Sequence, residues 1–377
     1  MQLQRLIERL QPTSVTGPVD RDITHLCYDS RKAVPGSLFV AIRGEQADGH
    51  AYAGQAIDGG AVAVVGEQPA VFDRATSLVV PHSRRALAQA AALFFGYPAE
   101  KLRIIGVTGT NGKTTTTYLI KHLLERAHQR TGLIGTVAYE IGDRVWPAER
   151  TTPEALDLQE MLARCVEARC HAVAMEVSSH ALAQERVAGM AFHVGVFTNL
   201  TQDHLDFHPT MEDYFRAKRR LFADLAPAHS IINLDDPYGA RLAREVPDPL
   251  TFALEDRSAT FRATDVEVGL TGSQFTVLAP GERTELVSPL RGRFNIYNVL
   301  GAYAASRALS IPPAPAAEAI RTAGGVPGRF EAVDEGQEFA VIVDYAHTPD
   351  SLANVLSAAR NLTERRVHVV FGAGGDR

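Results

Sequence analysis

The stretch that decides the fold lies at residues 104–117 and reads Ile104-Ile105-Gly106-Val107-Thr108-Gly109-Thr110-Asn111-Gly112-Lys113-Thr114-Thr115-Thr116-Thr117. An apolar run leads into a glycine-rich turn and then into a helical pattern, so the order is strand, loop, helix. Glycines let backbone N–H groups approach phosphate oxygens, the helix N-terminus adds a positive end, and Lys113 adds a point charge. The Thr114 hydroxyl can bind a magnesium ion that bridges phosphates. The stretch therefore predicts a phosphate-binding loop.

One position of this loop departs from the common pattern. The form G-x-x-x-x-G-K-[ST] requires a glycine five residues before Gly112, and Val107 stands there. A plain glycine-rich turn between a strand and a helix is the alternative interpretation. Because Lys113 and the threonine run follow the turn, we expect a shorter variant of the phosphate loop.

Length and composition bound the class of protein. A chain of 377 residues predicts two or three domains, and 45% apolar with 22% charged residues is typical of a globular enzyme. A net charge of −6 gives no electrostatic reason to expect nucleic acid as a partner. The N-terminus reads as an amphipathic helix rather than a signal peptide, and no apolar run reaches the roughly 18–20 residues of a membrane helix. Three cysteines without C-x-x-C spacing indicate neither a disulfide framework nor a zinc site, so a cytoplasmic protein without membrane partner is expected.

The element pattern predicts an α/β protein of three domains. Residues 1–98 form a small α/β unit, with strands expected at 37–42, 61–65 and 78–80 and helices at 51–59 and 83–95. Residues 99–331 alternate strand and helix, which is typical of a parallel sheet covered on both faces. Its expected strands are 102–108, 131–137, 172–177, 194–200 and 230–233, its helices 114–128, 155–168 and 211–225, and an antiparallel insertion follows at 263–290.

The third domain begins near residue 332. A strand at 339–344, a helix at 351–361 and a second strand at 366–371 are expected. A single βαβ unit cannot bury both faces of a sheet. We therefore expect an incomplete domain over residues 332–377.

Polar side chains follow the expected strands of the central domain at one edge. Glu176 and His204 each come after a buried-looking strand, and ligands of open parallel sheets bind at that end. A carboxylate beside a phosphate loop suits a magnesium ligand or a residue that positions water. For either residue alone, a helix cap or a loop hydrogen bond is an equal alternative. Their shared edge with Lys113 favours function.

Two further patterns stay open on the residues alone. The basic helical segment around Lys218 is favoured as a solvated cationic face. Asn295 and Asn298 lie three apart on one helix face, and their amides suit hydrogen bonding to a base edge as well as capping.

Together the motifs of the chain resemble the Mur ligase family over its whole length. The motifs that carry the resemblance are Tyr28-Asp29-Ser30-Arg31, Gly44-Glu45-Gln46-Ala47-Asp48-Gly49, Gly109-Thr110-Asn111-Gly112-Lys113-Thr114, Thr151-Thr152-Pro153, Glu176-Val177-Ser178-Ser179-His180, Asp203-His204-Leu205-Asp206, residues 292–298, Gly328-Arg329-Phe330-Glu331 and Asp344-Tyr345-Ala346-His347-Thr348-Pro349-Asp350. The resemblance implies a UDP-binding N-terminal domain, a central ATP-binding domain and a Rossmann-like C-terminal domain. Relatives continue further, which again implies an incomplete last domain.

The resemblance also implies a reaction in peptidoglycan precursor synthesis. ATP would phosphorylate the free D-Glu carboxylate of UDP-MurNAc-L-Ala-D-Glu, and the amine of a diamino acid would attack the acyl phosphate. The wording of the motifs is closer to relatives that use meso-diaminopimelate than to those that use L-lysine. We expect only small-molecule partners and a monomeric protein. The alternatives are a catalytically incompetent fragment that binds nucleotide and UDP-sugar, and a sister ligase such as folylpolyglutamate synthase.

Site residues follow from the resemblance, motif by motif. The catalytic residues would be Lys113, His204 and Lys218, with Lys218 carbamylated by CO2 into an anionic oxygen ligand, which needs a neutral amine. Magnesium would be held by Thr114, Glu176, His204 and the Lys218 carbamate. ATP would contact Gly109, Thr110, Asn111, Gly112, Lys113, Thr114, Thr115, Asn295, Asn298, Arg329 and Asp344. The UDP-MurNAc-dipeptide would contact Tyr28, Ser30, Glu45, Gln46, Ala47, Thr151, Thr152, Ser178, Gln184 and Arg186, and the incoming amino acid would contact Arg377.

Overall fold

The computed structural model describes residues 1–44, 47–269 and 271–372. They fall into two compact units. The N-terminal unit contains residues 1–102, 152–168 and 180–191, and the main unit contains residues 103–151, 169–179 and those from 192 onward. The chain thus leaves and re-enters the N-terminal unit twice. The division into consecutive domains at 1–98, 99–331 and 332–377 stays a prediction.

The N-terminal unit is built on a five-stranded sheet. Its elements are α1 (Leu3–Leu10), β1 (Ser14–Thr16), β2 (His25–Cys27), β3 (Ser37–Val40), α2 (Ala53–Asp58), β4 (Ala61–Gly66), β5 (Thr76–Val79) and α3 (Ser83–Phe94), with 3-10 turns at Ser30–Lys32, Gly49–Tyr52 and Pro98–Lys101. The strand order is β1-β5-β4-β3-β2, and only β1 runs antiparallel to its neighbour. The expected small α/β unit is confirmed, and β1 and β2 are strands that the sequence pattern missed.

The main unit carries an eleven-stranded sheet. The elements after residue 102, in chain order, are β6 (Arg103–Thr108), α4 (Lys113–Arg126), β7 (Thr131–Ile134), β8 (Ala138–Ile141), β9 (Arg144–Pro147), α5 (Ala155–Glu167), β10 (Ala172–Glu176), α6 (Ser179–Ala183), β11 (Val194–Phe197), α7 (Met211–Ala223), β12 (His229–Asn233), α8 (Pro237–Glu245), β13 (Leu250–Ala253), β14 (Phe261–Gly269), β15 (Gly272–Ala279), β16 (Glu282–Ser288), α9 (Arg293–Ala308), α10 (Pro313–Arg321), β17 (Glu331–Val333), β18 (Val341–Val343) and α11 (Pro349–Asn361). Of these, α5 and all of α6 but Ser179 lie in the N-terminal unit. The sheet order is β16-β15-β14-β13-β12-β11-β6-β10-β7-β8-β9.

The centre of this sheet is parallel and its two edges are antiparallel. The seven strands from β14 to β7 pair in parallel, with β6 between β10 and β11. The expected parallel α/β sheet is therefore confirmed. The predicted antiparallel insertion is also confirmed, because β14, β15 and β16 extend the same sheet. The ends of β6, β10 and β11 thus lie side by side, as a site at one sheet edge requires.

Helices α4 and α9 pack against each other and against the sheet. Leu119, Leu123 and Leu124 of α4 are buried in one core cluster with Val299 and Leu300 of α9. Ile120 is buried in the same cluster, and the apolar residues 120, 123 and 124, spaced three and four apart, place one apolar face of α4 on the core, as the sequence pattern predicts. This packing holds the start of α4, and with it the glycine-rich loop, at a defined place on the sheet.

Helix α5 belongs to the N-terminal unit rather than to the parallel sheet. Ala155 and Leu156 are buried with Leu87, Ala90 and Ala91 of α3 in the core of that unit. The prediction that this segment covers the central sheet is wrong. An amphipathic pattern specifies that a face is buried but not which apolar surface buries it.

Residues 328–372 differ from the predicted βαβ arrangement. Strand β18 pairs antiparallel with β17, in the register Glu331↔Val343. The expected strand at 366–371 does not form, and Val370 and Phe371 are exposed there. The reason is that a strand needs a backbone partner, and none lies beside these residues in the described part of the chain. Among all described residues, no helix combines the length and apolar character that crossing a bilayer demands.

Candidate active site

The loop between β6 and α4 folds around the side chain of Lys113. The Lys113 ammonium donates to the carbonyl oxygens of Gly109 at 3.0 Å and Thr110 at 2.8 Å. Burial lowers the pKa of Lys113, and the negative charge of Glu176 opposes that shift. The loop thus holds a half-buried cation at the end of a central strand, where a phosphate anion would be attracted.

Gly112 begins α4 in a conformation that suits glycine. Its φ is +86°, in the left-handed region, and a Cβ at this position would overlap the side-chain oxygen of Asn298. Asn298 Nδ2 donates to Asn295 Oδ1 at 2.9 Å, and Asn295 Nδ2 donates to the Arg291 carbonyl at 2.8 Å. The structure therefore brings Asn298 to the predicted loop. The contact of both amides with an adenine base stays a prediction.

The residues after β11 hold the loop from the neighbouring strand. The Thr110 and Asn111 backbone N–H groups donate to the carbonyl and the side-chain oxygen of Asn199, both at 2.9 Å. The Thr198 hydroxyl donates to the Asn111 carbonyl at 2.6 Å. Sequence reasoning assigned no role to Thr198 or Asn199. Their signal was an asparagine directly after a buried parallel strand, at the edge where ligands bind.

Glu176 ends strand β10 with its carboxylate buried. One oxygen accepts from the Thr136 backbone N–H at 2.8 Å, and the other lies 3.1 Å from the Thr136 hydroxyl. The Thr136 hydroxyl is also 3.1 Å from the hydroxyl of Thr151. The structure thus places Glu176, predicted as a metal ligand, within the electrostatic reach of Lys113. Thr151, predicted as a peptide contact, joins the same hydrogen-bonded group.

His204 and its neighbour Asp203 form the third side of the site. His204 has φ +53°, an unusual conformation for a residue with a side chain, and such residues cluster at functional sites. Its Nε2 lies 3.4 Å from Asp203 Oδ2, and its ring meets the Tyr214 ring edge-on at 5.9 Å. The Asp203 charge raises the pKa values of Lys113 and Lys218, against the larger effect of burial. Sequence reasoning quoted Asp203 in a motif but did not assign it to the site.

Lys218 of α7 is buried at the loop. Its side chain is 1% exposed, its ammonium donates to the Gly109 carbonyl at 2.8 Å, and it lies 4.5 Å from the centre of the Tyr214 ring. Burial lowers the pKa of Lys218 well below its usual range, and the charge of Lys113 lowers it further. The interpretation of this residue as part of a solvated cationic face is wrong. The exposed cation of α7 is Arg216, whereas Arg219 and Arg220 are half-buried.

The donor set fits a magnesium ion that arrives with phosphates. Glu176 supplies carboxylate oxygens and Thr114 a hydroxyl oxygen, and Mg²⁺ prefers oxygen ligands. No cluster of three or more histidine, cysteine, aspartate or glutamate side chains suited to a metal exists among the described residues. Mg²⁺ commonly takes one or two carboxylates and completes its shell with water and substrate phosphates. The residues present match that arrangement rather than an all-protein cage.

Arg329 and Asp344 reach the loop from the residues that follow α10. The Arg329 guanidinium donates to the Thr114 hydroxyl at 3.0 Å and lies 4.9 Å from the Tyr345 ring centre. The Asp344 carboxylate accepts from the backbone N–H groups of Phe330 and Ala346, both at 2.7 Å. The structure brings Arg329 to the phosphate loop itself. Asp344 bonds the residue next to Arg329 and so helps to position it. The contact of Asp344 with the ribose of ATP stays a prediction.

Within the N-terminal unit, Arg186 is the centre of one group of predicted substrate contacts. Its guanidinium donates to the Thr152 carbonyl at 2.8 Å and to Gln184 Oε1 at 2.7 Å, and it pairs with Glu154 at 3.0 Å. The structure thus joins three of the predicted residues. Ser178, another, lies in the main unit directly after β10 and is half-buried.

Tyr28 and Ser30 follow β2 in the same unit. The Tyr28 hydroxyl donates to Asp157 Oδ2 at 2.6 Å, and burial raises the pKa of that carboxyl group. The Ser30 hydroxyl donates to Gln55 Oε1 at 2.8 Å. Ala47 is exposed. The predicted contacts Glu45, Gln46 and Arg377 lie outside the described residues.

Comparisons with known proteins agree with this geometry. Family models match residues 22–114 as "Mur ligase family, catalytic domain", residues 107–306 as "Mur ligase middle domain" and residues 328–377 as "Mur ligase, glutamate ligase domain". The chain is 46% identical to UDP-N-acetylmuramoyl-L-alanyl-D-glutamate–2,6-diaminopimelate ligase of Geobacillus thermodenitrificans, over 100% of this chain and 78% of the relative. It is 47% identical to the protein of that name in Streptomyces coelicolor, over 94% and 72% of the two chains.

Solved structures give the same answer for the fold. A structure of UDP-N-acetylmuramoyl-L-alanyl-D-glutamate–2,6-diaminopimelate ligase superposes with a TM-score of 0.83 at 30% identity, and the match covers 100% of this chain and 77% of that chain. MurF ligase from Thermotoga maritima in complex with ADP superposes with a TM-score of 0.61 at 21% identity, over 90% and 74% of the two chains. The second match concerns the fold alone. Family models, relatives and the arrangement of Lys113, Glu176 and Lys218 thus converge, and the chain belongs to the Mur ligase family.

Proposed function

We propose that this chain is an ATP-dependent ligase that adds meso-diaminopimelate to UDP-MurNAc-L-Ala-D-Glu. The bond formed is an amide between the D-Glu side-chain carboxyl group and the incoming amine, and ATP leaves as ADP and phosphate. The observation that carries the proposal is the meeting of half-buried Lys113, buried Lys218 and the buried Glu176 carboxylate beside the glycine-rich loop. The names of the relatives support this reaction and favour diaminopimelate over L-lysine.

The chemistry explains why the site needs cations. A carboxylate must attack the terminal phosphate of ATP, so two anionic reactants have to approach each other. Lys113 would hold the β- and γ-phosphates, with the loop N–H groups beside it. A magnesium ion held by Thr114 and Glu176 would supply Lewis-acid stabilisation of the phosphate charge. His204 would contribute to a second magnesium site.

Lys218 has the environment that a carbamate requires. Only a neutral amine reacts with CO2, and the pKa of Lys218 is well below its usual range because of burial and the charge of Lys113. The product would be an anionic oxygen ligand beside the Gly109 carbonyl, suited to magnesium. Arg329, Asn295, Asn298 and Asp344 would contact the base and ribose of ATP.

The remaining predicted contacts would recognise the UDP-linked dipeptide. Arg186, with Thr152 and Gln184, provides a buried cation with polar neighbours, which suits a carboxylate or diphosphate oxygen. Tyr28 and Ser30 would contact the uridine diphosphate. All of the proposed partners are small molecules. Because the reaction consumes ATP, we place the protein in the cytoplasm. We also propose that it acts as a monomer. Light scattering during size exclusion would measure the mass in solution.

The test is phosphate release by the 377-residue chain with ATP, magnesium and UDP-MurNAc-L-Ala-D-Glu, comparing diaminopimelate with L-lysine. We expect turnover with diaminopimelate and at least tenfold less with L-lysine. A Lys113→Met variant should lose activity, whereas Lys121→Met, which removes a cation of the same helix that pairs with Glu125 and Glu140, should keep it.

Each other outcome favours a stated alternative. Intact ADP binding with no turnover on either amino acid would leave a nucleotide-binding fragment as the function of this chain. Turnover with L-lysine alone would assign the sister specificity. Failure to bind the UDP-linked dipeptide, together with folate binding, would indicate a folylpolyglutamate synthase activity.

A further inference from the structure

Asp350, at the start of α11, contacts the glycine-rich loop. Its Oδ2 accepts from Asn111 Nδ2 at 3.0 Å and from the Thr201 hydroxyl at 3.0 Å. Asn354, one turn further along α11, donates to the same oxygen at 3.2 Å. One carboxylate oxygen therefore joins α11, the phosphate loop and the residues after β11.

The two partners of Asp350 outside α11 are themselves hydrogen-bonded within the site. The Asn111 backbone N–H donates to Asn199 Oδ1 at 2.9 Å, and the Thr201 backbone N–H donates to the Thr110 hydroxyl at 3.0 Å. Both side-chain donors therefore belong to residues whose backbone N–H groups are already hydrogen-bonded within the site. Hydrogen bonds to an ionised carboxylate are about twice as strong as neutral ones.

A second contact between the same parts of the chain is independent of Asp350. Arg329 precedes β17 and donates to the Thr114 hydroxyl at 3.0 Å. Residues 328–361 thus contact the loop at two places, through a cation at Thr114 and through an anion at Asn111 and Thr201. The Arg329 guanidinium lies where phosphate is expected to bind. Asp350 does not contact Arg329 in the observed hydrogen bonds, so it would act on Arg329 by keeping residues 328–361 in contact with the loop.

We propose that Asp350 is a positioning residue that holds residues 328–361 against the phosphate loop and thereby sets the position of Arg329. It acts through its hydrogen bonds to Asn111 and Thr201. The contact itself does not depend on the reaction catalysed, but its effect on turnover rests on the proposed ligase function.

The first experiment measures docking directly, by amide hydrogen exchange of the 377-residue chain. Asp350→Ala should raise exchange at residues 329–333 and in α11 by about tenfold or more, because both hydrogen bonds that join α11 to Asn111 and Thr201 are lost. Thr201→Val removes the hydroxyl that donates to Asp350 and leaves the sequence of α11 unchanged. It should therefore raise exchange at the same amides. Asn354→Ala is the matched control, since its bond lies within α11, and should change exchange less than twofold.

The second experiment separates positioning from general damage. With the ligation assay, Asp350→Ala should lower kcat by about tenfold while KM for UDP-MurNAc-L-Ala-D-Glu stays within about twofold. Asp350→Asn keeps an acceptor oxygen and should recover at least half of the lost kcat. The kcat of the Asp350→Ala/Thr201→Val double variant should be no lower than that of Asp350→Ala alone, because both substitutions break the same hydrogen bond.

Unchanged hydrogen exchange in both Asp350→Ala and Thr201→Val would overturn the proposal. Additive losses in the double variant would overturn it as well. If the wild-type chain fails to ligate, the proposed function fails, and the exchange experiment still decides whether Asp350 docks the segment.

Discussion

Replacing Gly112 by alanine tests the loop geometry most directly. Gly112 has φ +86°, and its added Cβ would overlap the Asn298 side-chain oxygen. A left-handed conformation costs an alanine about 1 kcal/mol. Asn298 would also have to move away from Asn295, to which it donates at 2.9 Å, and from Thr116, whose hydroxyl donates to it at 3.5 Å. Each broken or unsatisfied polar contact costs roughly 1 kcal/mol.

The expected destabilisation by Gly112→Ala is therefore about 3 kcal/mol. For a unit of this size that corresponds to a fall in Tm of about 6–12 °C, measured by differential scanning calorimetry. ADP affinity, measured by isothermal titration calorimetry, should fall as well, since the first turn of α4 is displaced from its place on the loop.

Gly281 offers a matched control in the same unit. Its φ is +71°, but no atom lies near a Cβ added there. Gly281→Ala should therefore show the conformational cost alone, about 1 kcal/mol, and leave ADP affinity unchanged. Equal Tm shifts in the two variants would refute the overlap with Asn298. Removing the Asn298 amide should relieve the overlap. A Gly112→Ala/Asn298→Ala double variant whose fall in Tm equals the sum of the two single falls would therefore also refute it.

Three further variants test the site and the fold. Lys218→Ala should abolish phosphate release and be partly rescued by a short carboxylic acid, which replaces the carbamate oxygens; unchanged activity would remove the carbamate from the reaction. Arg186→Met loses the hydrogen bond to the Thr152 carbonyl, and in steady-state kinetics it should raise KM for the UDP-linked dipeptide by about tenfold without changing ADP affinity; an unaltered KM would argue against this contact. Burial and the charge of Arg103 lower the pKa of His193, so the folded state favours the neutral imidazole. The contribution of His193 to the free energy of unfolding is therefore complete above about pH 6.5 and is lost as the pH falls through the lowered pKa. Urea unfolding of His193→Gln should accordingly depend less on pH between about 5 and 7 than that of the wild type, and an unchanged pH dependence would contradict this role.

Much of the site could be predicted because it depends on local order in the chain. An apolar strand, a glycine turn and a helix starting at Lys113 specify a phosphate loop within fifteen residues. The parallel pairing of β6 with β10 and β11 then follows from the alternation of strands and helices. That pairing places Glu176 and the residues after β11 at the same edge as the loop. The sequence thereby determined the α/β class and the predicted position of Glu176.

What the sequence left open depends on contacts between distant residues. Lys218 looked like one cation of a solvated helix face, and only packing of α7 against the loop buries it beside Gly109, 109 positions away. The pattern of α5 showed an apolar face, but the tertiary structure decided that α3 covers it. The expected strand at 366–371 had the right composition and no backbone partner. Periodicity records which side chains avoid water, whereas burial of a charge and pairing of a strand depend on which surface arrives to meet them.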